Sequence, residues 1–179
     1  MGNTVVVYKS KYGSTKKYAQ WISKQLNSDL FEASEIADEK LMKYETIIFG
    51  GGLYASGILG ISLINKNFKS LNDKNIIVFT VGLASTEDES IFKPIIEKNF
   101  SEQERNNIKF FHFRGAVNYS KLNMVHKAMM AMLKKTVAKK SLENQTEEDK
   151  MMLNTYGDIV DFTEEKTIEP LIYYVNNLI

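Results

Sequence analysis

Hydrophobic residues in this sequence occur in two kinds of pattern, short continuous runs and longer stretches with helical spacing. Four short runs, rich in β-branched and aromatic residues, are long enough for buried strands and too short for convincing helices. These predicted strands lie at residues 4–8, 46–52, 75–81 and 108–114. Residues 29–34 could form a further, short strand at the edge of the sheet.

Helical spacing of apolar residues follows the strand runs. In the first predicted helix, residues 14–27, Tyr18, Ile22 and Leu26 fall on one face, and lysine and glutamine lie opposite. Further predicted helices lie at residues 36–44, 60–70, 88–99 and 121–139, in one short turn after Ser101, and after Thr146 and Thr163. Pro94 predicts a late start or a kink in the helix at 88–99, and Pro170 leaves the first residue of the last helix undefined.

Strands that alternate with helices predict a parallel sheet with right-handed crossovers. Five strands fit an α/β, doubly wound fold with strand order 2-1-3-4-5. The 179 residues then form one domain, 1–179, with a basic and acidic helical insertion at about 116–157, before the last helix. In this fold the loops that begin at Ser10, Gly51 and Gly82 meet in one crevice at the carboxyl ends of the strands, where ligands bind.

Composition excludes several kinds of chemistry. The chain has no cysteine, which rules out disulfides, thiolate nucleophiles and iron–sulfur clusters. No His, Asp and Glu spacing suggests a metal site. No apolar run approaches the roughly 18–20 residues of a membrane span, and Met1 leads directly into a strand without a signal peptide. The sequence therefore predicts a cytoplasmic protein.

The net charge of the chain is +1, but the charged residues are unevenly distributed along it. Residues 105–142 contain nine Lys and Arg and no Asp or Glu, whereas the rest of the chain has 14 basic and 22 acidic residues. Such a block can mark contact with an anionic ligand, a membrane or nucleic acid. The alternative is a lysine face that only water contacts. Nucleic acid is not expected, because aromatic residues are not interleaved through the basic helix.

A short polar loop joins the first predicted strand to the first helix. Its sequence, Ser10-Lys11-Tyr12-Gly13-Ser14-Thr15, supplies three hydroxyl groups and one glycine. A helix N-terminus has free N–H groups and a partial positive charge, which together favour a phosphate. The alternative is an ordinary strand–turn–helix junction in which Ser14 or Thr15 caps the helix.

This loop resembles the FMN-phosphate loop of flavodoxins, and the resemblance implies a flavodoxin-like fold with FMN as cofactor. The phosphate-binding residues that it implies are Ser10, Lys11, Tyr12, Gly13, Ser14 and Thr15. Those expected beside the flavin ring are Gly51, Gly52, Leu53, Tyr54 and Ala55 after the third strand, and Gly82, Leu83, Ala84 and Ser85 after the fourth. Tyr54 is the side chain expected to stack on the ring.

The fourth-strand loop departs from the short electron-carrying flavodoxins because it has no aromatic residue. One face of the flavin would then be covered by aliphatic or backbone groups, or left open to a substrate, and an open face suits an enzyme better than an electron carrier. The near-neutral chain also lacks the acidic surface that steers such carriers to basic partners. A formal dinucleotide fingerprint, Gly50-x-Gly52-x-x-Ala55, follows the third strand instead of the first, which argues against a dinucleotide.

The basic segment carries a second resemblance. Arg114-Gly115-Ala116-Val117-Asn118-Tyr119, followed by a Lys- and Met-rich helix, is similar to the insertion in the flavodoxin-like, quinone-dependent protoporphyrinogen dehydrogenases. The resemblance implies oxidation of a tetrapyrrole through FMN, with electrons passed to a membrane quinone. The catalytic residues are not identified by it.

The predicted helix at 121–140 is the candidate for contact with a partner. Met124, Met129 and Met132 form an apolar stripe, and nearby lysines could meet substrate propionates or anionic lipid headgroups at a peripheral membrane contact. The alternative is that the methionines pack on the sheet and the lysines are solvated. His126, on this helix, is a candidate for ligand binding or proton transfer, whereas His112 is expected to be structural.

Three functions remain open. The first is an FMN-dependent oxidoreductase, of the protoporphyrinogen dehydrogenase type or close to it. The second is a one-electron carrier with a redox partner. The third is an interaction module on the same fold without a cofactor.

Overall fold

The computed structural model describes residues 3–87 and 89–178. Its eight strands are β1 (Thr4–Lys9), β2 (Asp29–Glu32), β3 (Thr46–Tyr54), β4 (Gly57–Ile58), β5 (Asn75–Gly82), β6 (Ile108–Arg114), β7 (Ala116–Asn118) and β8 (Ile159–Asp161). Five of them, β2-β1-β3-β5-β6, form a parallel sheet in that order. The predicted α/β fold and the 2-1-3-4-5 order of its parallel strands are confirmed.

Eight α-helices connect and cover the strands. They are α1 (Ser14–Leu26), α2 (Asp38–Leu41), α3 (Ser62–Asn67), α4 (Lys93–Asn99), α5 (Glu102–Asn107), α6 (Met124–Ala138), α7 (Glu147–Asn154) and α8 (Glu169–Asn176). Short 3₁₀ helices lie at Phe68–Leu71, Glu89–Phe92, Tyr119–Lys121, Leu142–Asn144 and Glu165–Ile168. As Pro94 predicted, α4 starts late, and α8 begins at Glu169, next to Pro170; each helix directly follows a 3₁₀ turn.

The central sheet is covered on both faces because successive residues of its strands point to opposite sides. Val5 and Val7 of β1 enter one core, together with Ile64 of α3. Val6 enters the other core, together with Ile22 of α1 and Leu171 of α8. Both faces of the sheet are therefore buried, which explains why its strands are continuous runs of apolar residues. The loops lie at the ends of the strands.

The connection after β3 differs from the predicted glycine loop. The chain turns back through Ala55 and Ser56 into β4, which pairs antiparallel with the end of β3. Both turn residues have positive φ, 48° and 65°, the backbone conformation of the tightest hairpin turns. Asn99 stabilises this turn: its side-chain amide donates to the Ser56 carbonyl (2.7 Å) and accepts from the Ile58 N–H (3.1 Å).

The segment 116–161, here called the insert, begins with β7 and ends with β8. These two strands pair antiparallel and form a separate ribbon beside the main sheet. Between them lie α6 and α7, which are packed with the ribbon around a small core of Val117, Tyr119 and Leu122. The predicted cap of α7 is present, because Thr146 and Asp149 form a reciprocal capping box. The ribbon was not predicted from the sequence.

No helix among residues 3–87 and 89–178 has the length and apolar character that are needed to cross a membrane.

His112 makes the stability of the fold depend on pH. Its ring stacks on Phe92 with 3.7 Å between centroids, and its Nδ1 lies 2.6 Å from the Thr80 hydroxyl. Burial lowers the pKa of His112 from 6.5 to about 4. The neutral ring thus stabilises the fold above pH 6.5, and this contribution is lost as the pH falls towards 4.

We therefore expect urea unfolding at pH 4 to show a free energy up to about 3 kcal/mol lower than at pH 7 from this group alone, at about 1.4 kcal/mol per unit of pKa. The variant His112→Gln should lose less stability over the same interval, whereas the control Tyr173→Phe, at an exposed tyrosine of α8, should lose as much as the parent protein. Equal losses in the two variants would show that His112 does not titrate as described.

Candidate functional site

A cavity of about 360 Å³ lies at the carboxyl ends of β1, β3 and β5. The three predicted loops contribute Ser10, Tyr12, Ser14, Thr15, Gly52, Leu53, Tyr54, Ala55, Gly82 and Leu83 to its wall. The insert and the residue before it contribute Gly115, Ala116, Val117, Leu122, His126, Met129, Met130 and Leu133. Its volume lies within the range of small-molecule sites, roughly 300–1,000 Å³.

The first turn of α1 opens into this cavity with its backbone donors available. Gly13 precedes the helix with a φ of 101°, and no side chain caps the helix. The alternative prediction, a cap by Ser14 or Thr15, is therefore not observed. Within the described residues, the N–H groups of Ser14, Thr15 and Lys16 have no hydrogen-bond partner. Such a helix end favours an anion.

Hydroxyl groups surround the same helix end. Ser10 Oγ accepts from the Gly13 N–H at 3.1 Å, and Ser14 Oγ accepts from the Ala116 N–H at 3.0 Å. Both serines act as acceptors in these bonds, so each retains an O–H that can donate to a ligand. Thr15 is only 3% exposed, and no hydrogen bond of its hydroxyl is found among residues 3–87 and 89–178. The cradle is thus rich in donors.

Gly52 keeps the space beside these donors open. A Cβ at this position would lie 3.4 Å from both the Thr15 Oγ1 and the Tyr54 hydroxyl, and 3.0 Å from Cε2 of Tyr54. Any larger residue would therefore push into the wall between the loop after β1 and the loop after β3. The φ of Gly52 is not positive, so the backbone conformation does not demand glycine. The close approach of Thr15 and Tyr54 does.

An aromatic cluster closes one side of the cavity. The Tyr54 ring is stacked on His126 of α6, with 4.8 Å between centroids and 15° between planes. The Tyr12 hydroxyl lies 2.8 Å from His126 Nδ1 and accepts from the Asn123 N–H at 3.3 Å. Asn123 in turn caps α6 by accepting from the His126 N–H at 2.8 Å. Tyr12 therefore connects the first loop to the start of α6.

Proton positions in this cluster follow from its surroundings. Burial, helped by the nearby Tyr12, raises the pKa of Tyr54 to about 12, so Tyr54 stays protonated. Burial and the positive charge of Lys11 lower the pKa of His126, which favours the neutral imidazole. Because the Tyr12 hydroxyl already accepts from Asn123, it can donate to His126 Nδ1, and the ring proton then lies on Nε2.

Five of the predicted site residues do not line the cavity. Lys11 is exposed, with its Nζ 5.8 Å from the Tyr12 ring centroid, and Gly13 contributes through its backbone. A Cβ on Gly51 would meet Ile58 Cγ2 at 2.4 Å, so this glycine serves packing against β4. The other two are Ala84, which lines a neighbouring cavity, and Ser85, whose hydroxyl accepts from the Glu87 N–H at 3.3 Å.

Residues 5–144 match the family of flavodoxin domains. The chain belongs to this family. A comparison with curated proteins finds no match.

Several solved structures are similar to this flavodoxin domain. A WrbA-like flavodoxin from Agrobacterium tumefaciens is 21% identical, over 55% of this chain and 74% of its own, with a TM-score of 0.40. Flavodoxin 2 from Bacillus cereus is 15% identical, over 85% of this chain and 93% of its own, with a TM-score of 0.42. Rubredoxin oxygen:oxidoreductase from Desulfovibrio gigas is 16% identical, over 62% of this chain but 29% of its own, with a TM-score of 0.44. At these sequence identities and TM-scores, the similarities do not indicate what the chain binds.

The contribution of the insert to the cavity was largely missed by sequence reasoning. The notable residues are Leu122, Met130 and Leu133, which come from the middle and later part of the basic block at 105–142. Their helical spacing indicates a buried face, but nothing in the sequence says which loop of the flavodoxin domain that face covers. His126 was a candidate by residue type alone.

A second cavity of about 220 Å³ lies under the insert. It shares Leu83, Val117, Met130 and Leu133 with the first, so the two cavities adjoin at these side chains. Arg114 borders it: its Nε donates to the Leu83 carbonyl at 3.1 Å, and its Nη2 pairs with Glu148 at 2.8 Å. Arg114 thereby fixes the loop after β5 against α7.

The bond between Tyr12 and α6 can be tested directly. Removing the hydroxyl in Tyr12→Phe deletes the contacts with His126 and Asn123, each expected to contribute about 1 kcal/mol. We expect amide hydrogen exchange at the start of α6 to accelerate by at least about fivefold. The control Tyr173→Phe alters an exposed tyrosine of α8 and should leave exchange in α6 unchanged. Unchanged exchange in Tyr12→Phe would contradict the connection.

Proposed function

We propose that this flavodoxin domain binds one FMN non-covalently and acts as an FMN-dependent oxidoreductase. The observation that carries the proposal is the set of unpartnered donors at the N-terminus of α1, which open into a cavity of suitable size. Membership of the flavodoxin family agrees with a flavin as the cofactor. The phosphate distinguishes FMN from riboflavin, and this cradle is where we assign it.

The donor set fits a phosphate. The hydroxyls of Ser10, Ser14 and Thr15, together with the N–H groups of the first helical turn, would hold its oxygens. Charge-assisted hydrogen bonds of this kind contribute roughly 1.5–3 kcal/mol each. Lys11 and Lys16 add positive charge at longer range, and the helix end supplies partial positive charge. No neighbouring carboxylate among the residues of this loop opposes the anion.

The remaining cavity fits a flat, largely apolar ring. Gly52 leaves room for close approach, and Leu53, Leu83 and Val117 supply apolar contact. His126 occupies one face of Tyr54, so a ring that stacked on that face would replace the imidazole. When bound, the flavin would supply the acceptance and return of electrons. The chain itself binds and orients the group, and α6 excludes water from it.

His126 is the residue in the cavity best placed to move a proton. Its Nδ1 is held by the Tyr12 hydroxyl, which leaves the proton on Nε2. Its lowered pKa keeps the ring neutral near physiological pH, so its Nε2–H can donate a hydrogen bond to a ligand, and Nδ1 is the atom that would take up a proton when the Tyr12 hydroxyl turns away. Electron transfer to a flavin is accompanied by proton transfer, and a histidine in this position suits the oxidation of a substrate that releases hydrogen.

Two observations favour an oxidoreductase over a one-electron carrier. First, the insert covers the cavity and adds the second, adjoining cavity of about 220 Å³, which gives room for an apolar substrate. Second, the chain has a net charge of +1 and a basic insert, whereas a carrier for basic partners needs an acidic docking surface. The specific activity that we propose, on the resemblance of residues 114–119 and the following Lys- and Met-rich helix, is of the protoporphyrinogen dehydrogenase type, in which a tetrapyrrole loses hydrogen and a quinone is reduced to the quinol.

Substrate turnover tests this specific activity. Purified protein loaded with FMN should oxidise protoporphyrinogen under anaerobic conditions only when a quinone is present, and fluorescence of the porphyrin product reports the rate. Rapid reduction by a flavodoxin reductase without tetrapyrrole turnover would instead show a one-electron carrier. A colourless protein that does not bind added FMN would indicate the cofactor-free interaction module.

The phosphate cradle is tested by a double substitution. Ser10→Ala with Thr15→Ala removes two hydroxyl donors, and we expect FMN binding to weaken by at least about 2 kcal/mol, roughly 1 kcal/mol or more per hydrogen bond to a charged group. Quenching of flavin fluorescence during titration measures the affinity. The matched control Ser62→Ala with Ser70→Ala removes two hydroxyls of α3 and the following turn and should bind FMN normally. Unchanged affinity in Ser10→Ala/Thr15→Ala would remove the assignment.

A further inference from the structure

Helix α6 has two different apolar faces. His126, Met130 and Val137 point inward to the cavity and the small core of the insert. Met124, Val125 and Met132 point outward and are 80%, 65% and 73% exposed. At 3.6 residues per turn these three outward residues fall within an arc of about 100°. The helix therefore covers the cavity with one side and presents a second apolar stripe to solvent.

Uncompensated positive charge borders this outer stripe. Lys121, Lys127, Lys135 and Lys139 lie along or just beyond the helix, and none forms an ion pair within the part of the chain that the structure describes. Residues 105–142 contain no Asp or Glu that could neutralise them. The acidic residues of α7 already pair with other cations, as in Glu148 with Arg114 and Asp149 with Lys140.

The combination limits the kind of partner. Exposed large apolar side chains in this density mark an interaction surface. A second copy of the chain would bring lysine against lysine across the same stripe, which opposes association. A lipid surface with anionic headgroups satisfies both features, because methionine and valine enter the acyl boundary while lysine contacts lipid phosphate. Met124 and Met132 are mostly exposed, so the alternative of methionines packed on the sheet does not apply to them, whereas Met129 lines the cavity.

We propose that the outer face of α6 docks this protein on membranes rich in anionic lipid, with the helix lying along the surface. Docking through this face places the covered cavity directly behind the lipid contact. An apolar molecule dissolved in the bilayer would then reach the insert from the membrane side. The docking itself requires neither FMN nor turnover, so its test is separate from that of the proposed function.

Vesicle flotation with the full chain tests the docking. The protein should float with vesicles of equimolar phosphatidylcholine and phosphatidylglycerol and stay behind with phosphatidylcholine alone. Added salt should weaken the binding because it screens the lysines. Each lysine near an anionic surface contributes about fivefold, so Lys121→Gln/Lys127→Gln/Lys135→Gln/Lys139→Gln should reduce partitioning by at least about tenfold. Met124→Ser/Met132→Ser should also reduce it clearly.

Matched controls distinguish binding through this surface from non-specific binding of the protein to vesicles. The quadruple variant Lys24→Gln/Lys43→Gln/Lys69→Gln/Lys166→Gln removes as many exposed lysines elsewhere, and Tyr173→Ser removes an apolar side chain that is 73% exposed on α8. Both should bind vesicles like the parent, and thermal melting verifies that all variants fold. Equal binding by all variants, absence of binding, or equal binding to neutral vesicles would overturn the proposal. A dimer in sedimentation that Met124→Ser/Met132→Ser abolishes, without vesicle binding, would assign the face to a second copy.

Discussion

The structure depends on one junction, where the end of β1 meets the start of α1. Gly13 adopts a left-handed conformation there, so the helix begins without a side-chain cap and its first N–H groups point outward. A buried strand holds this junction on one side, and Thr15 and Tyr18 are buried at the beginning of the helix. The junction is therefore rigid, while its donors remain without partners. Rigid donors that need no rearrangement are what an anion site requires.

The same junction also holds the insert in place. The Ser14 hydroxyl accepts from the Ala116 N–H at the start of β7 (3.0 Å), and the Tyr18 hydroxyl donates to the Arg114 carbonyl (2.8 Å) and accepts from the Glu164 N–H (3.2 Å). The start of the insert and the residues that flank its two ends are thus bonded to the helix that forms the candidate phosphate site. Helix α1 therefore carries both the candidate phosphate site and the contacts at the base of the insert.

Much of the fold could be predicted because its strands are continuous apolar runs that suit a sheet buried on both faces. The site could be predicted as far as it follows from such strands, since their carboxyl ends must meet. The hairpin at Ala55 and Ser56 could not, because neither residue signals positive φ and the stabilising Asn99 is distant in sequence. The stacking of His126 on Tyr54 is likewise a tertiary contact without local signal. The apolar residues of α6 predict a buried face, but their sequence does not indicate which loop that face covers.

The most direct test of the central claim compares FMN with riboflavin, which differ in the phosphate alone. Titration of the flavin-free protein with each ligand measures what the cradle contributes. If the N-terminus of α1 holds the phosphate, FMN should bind at least about tenfold more tightly than riboflavin, since even one charge-assisted hydrogen bond contributes about 1.5 kcal/mol. Equal affinities, or tighter binding of riboflavin, would contradict the account.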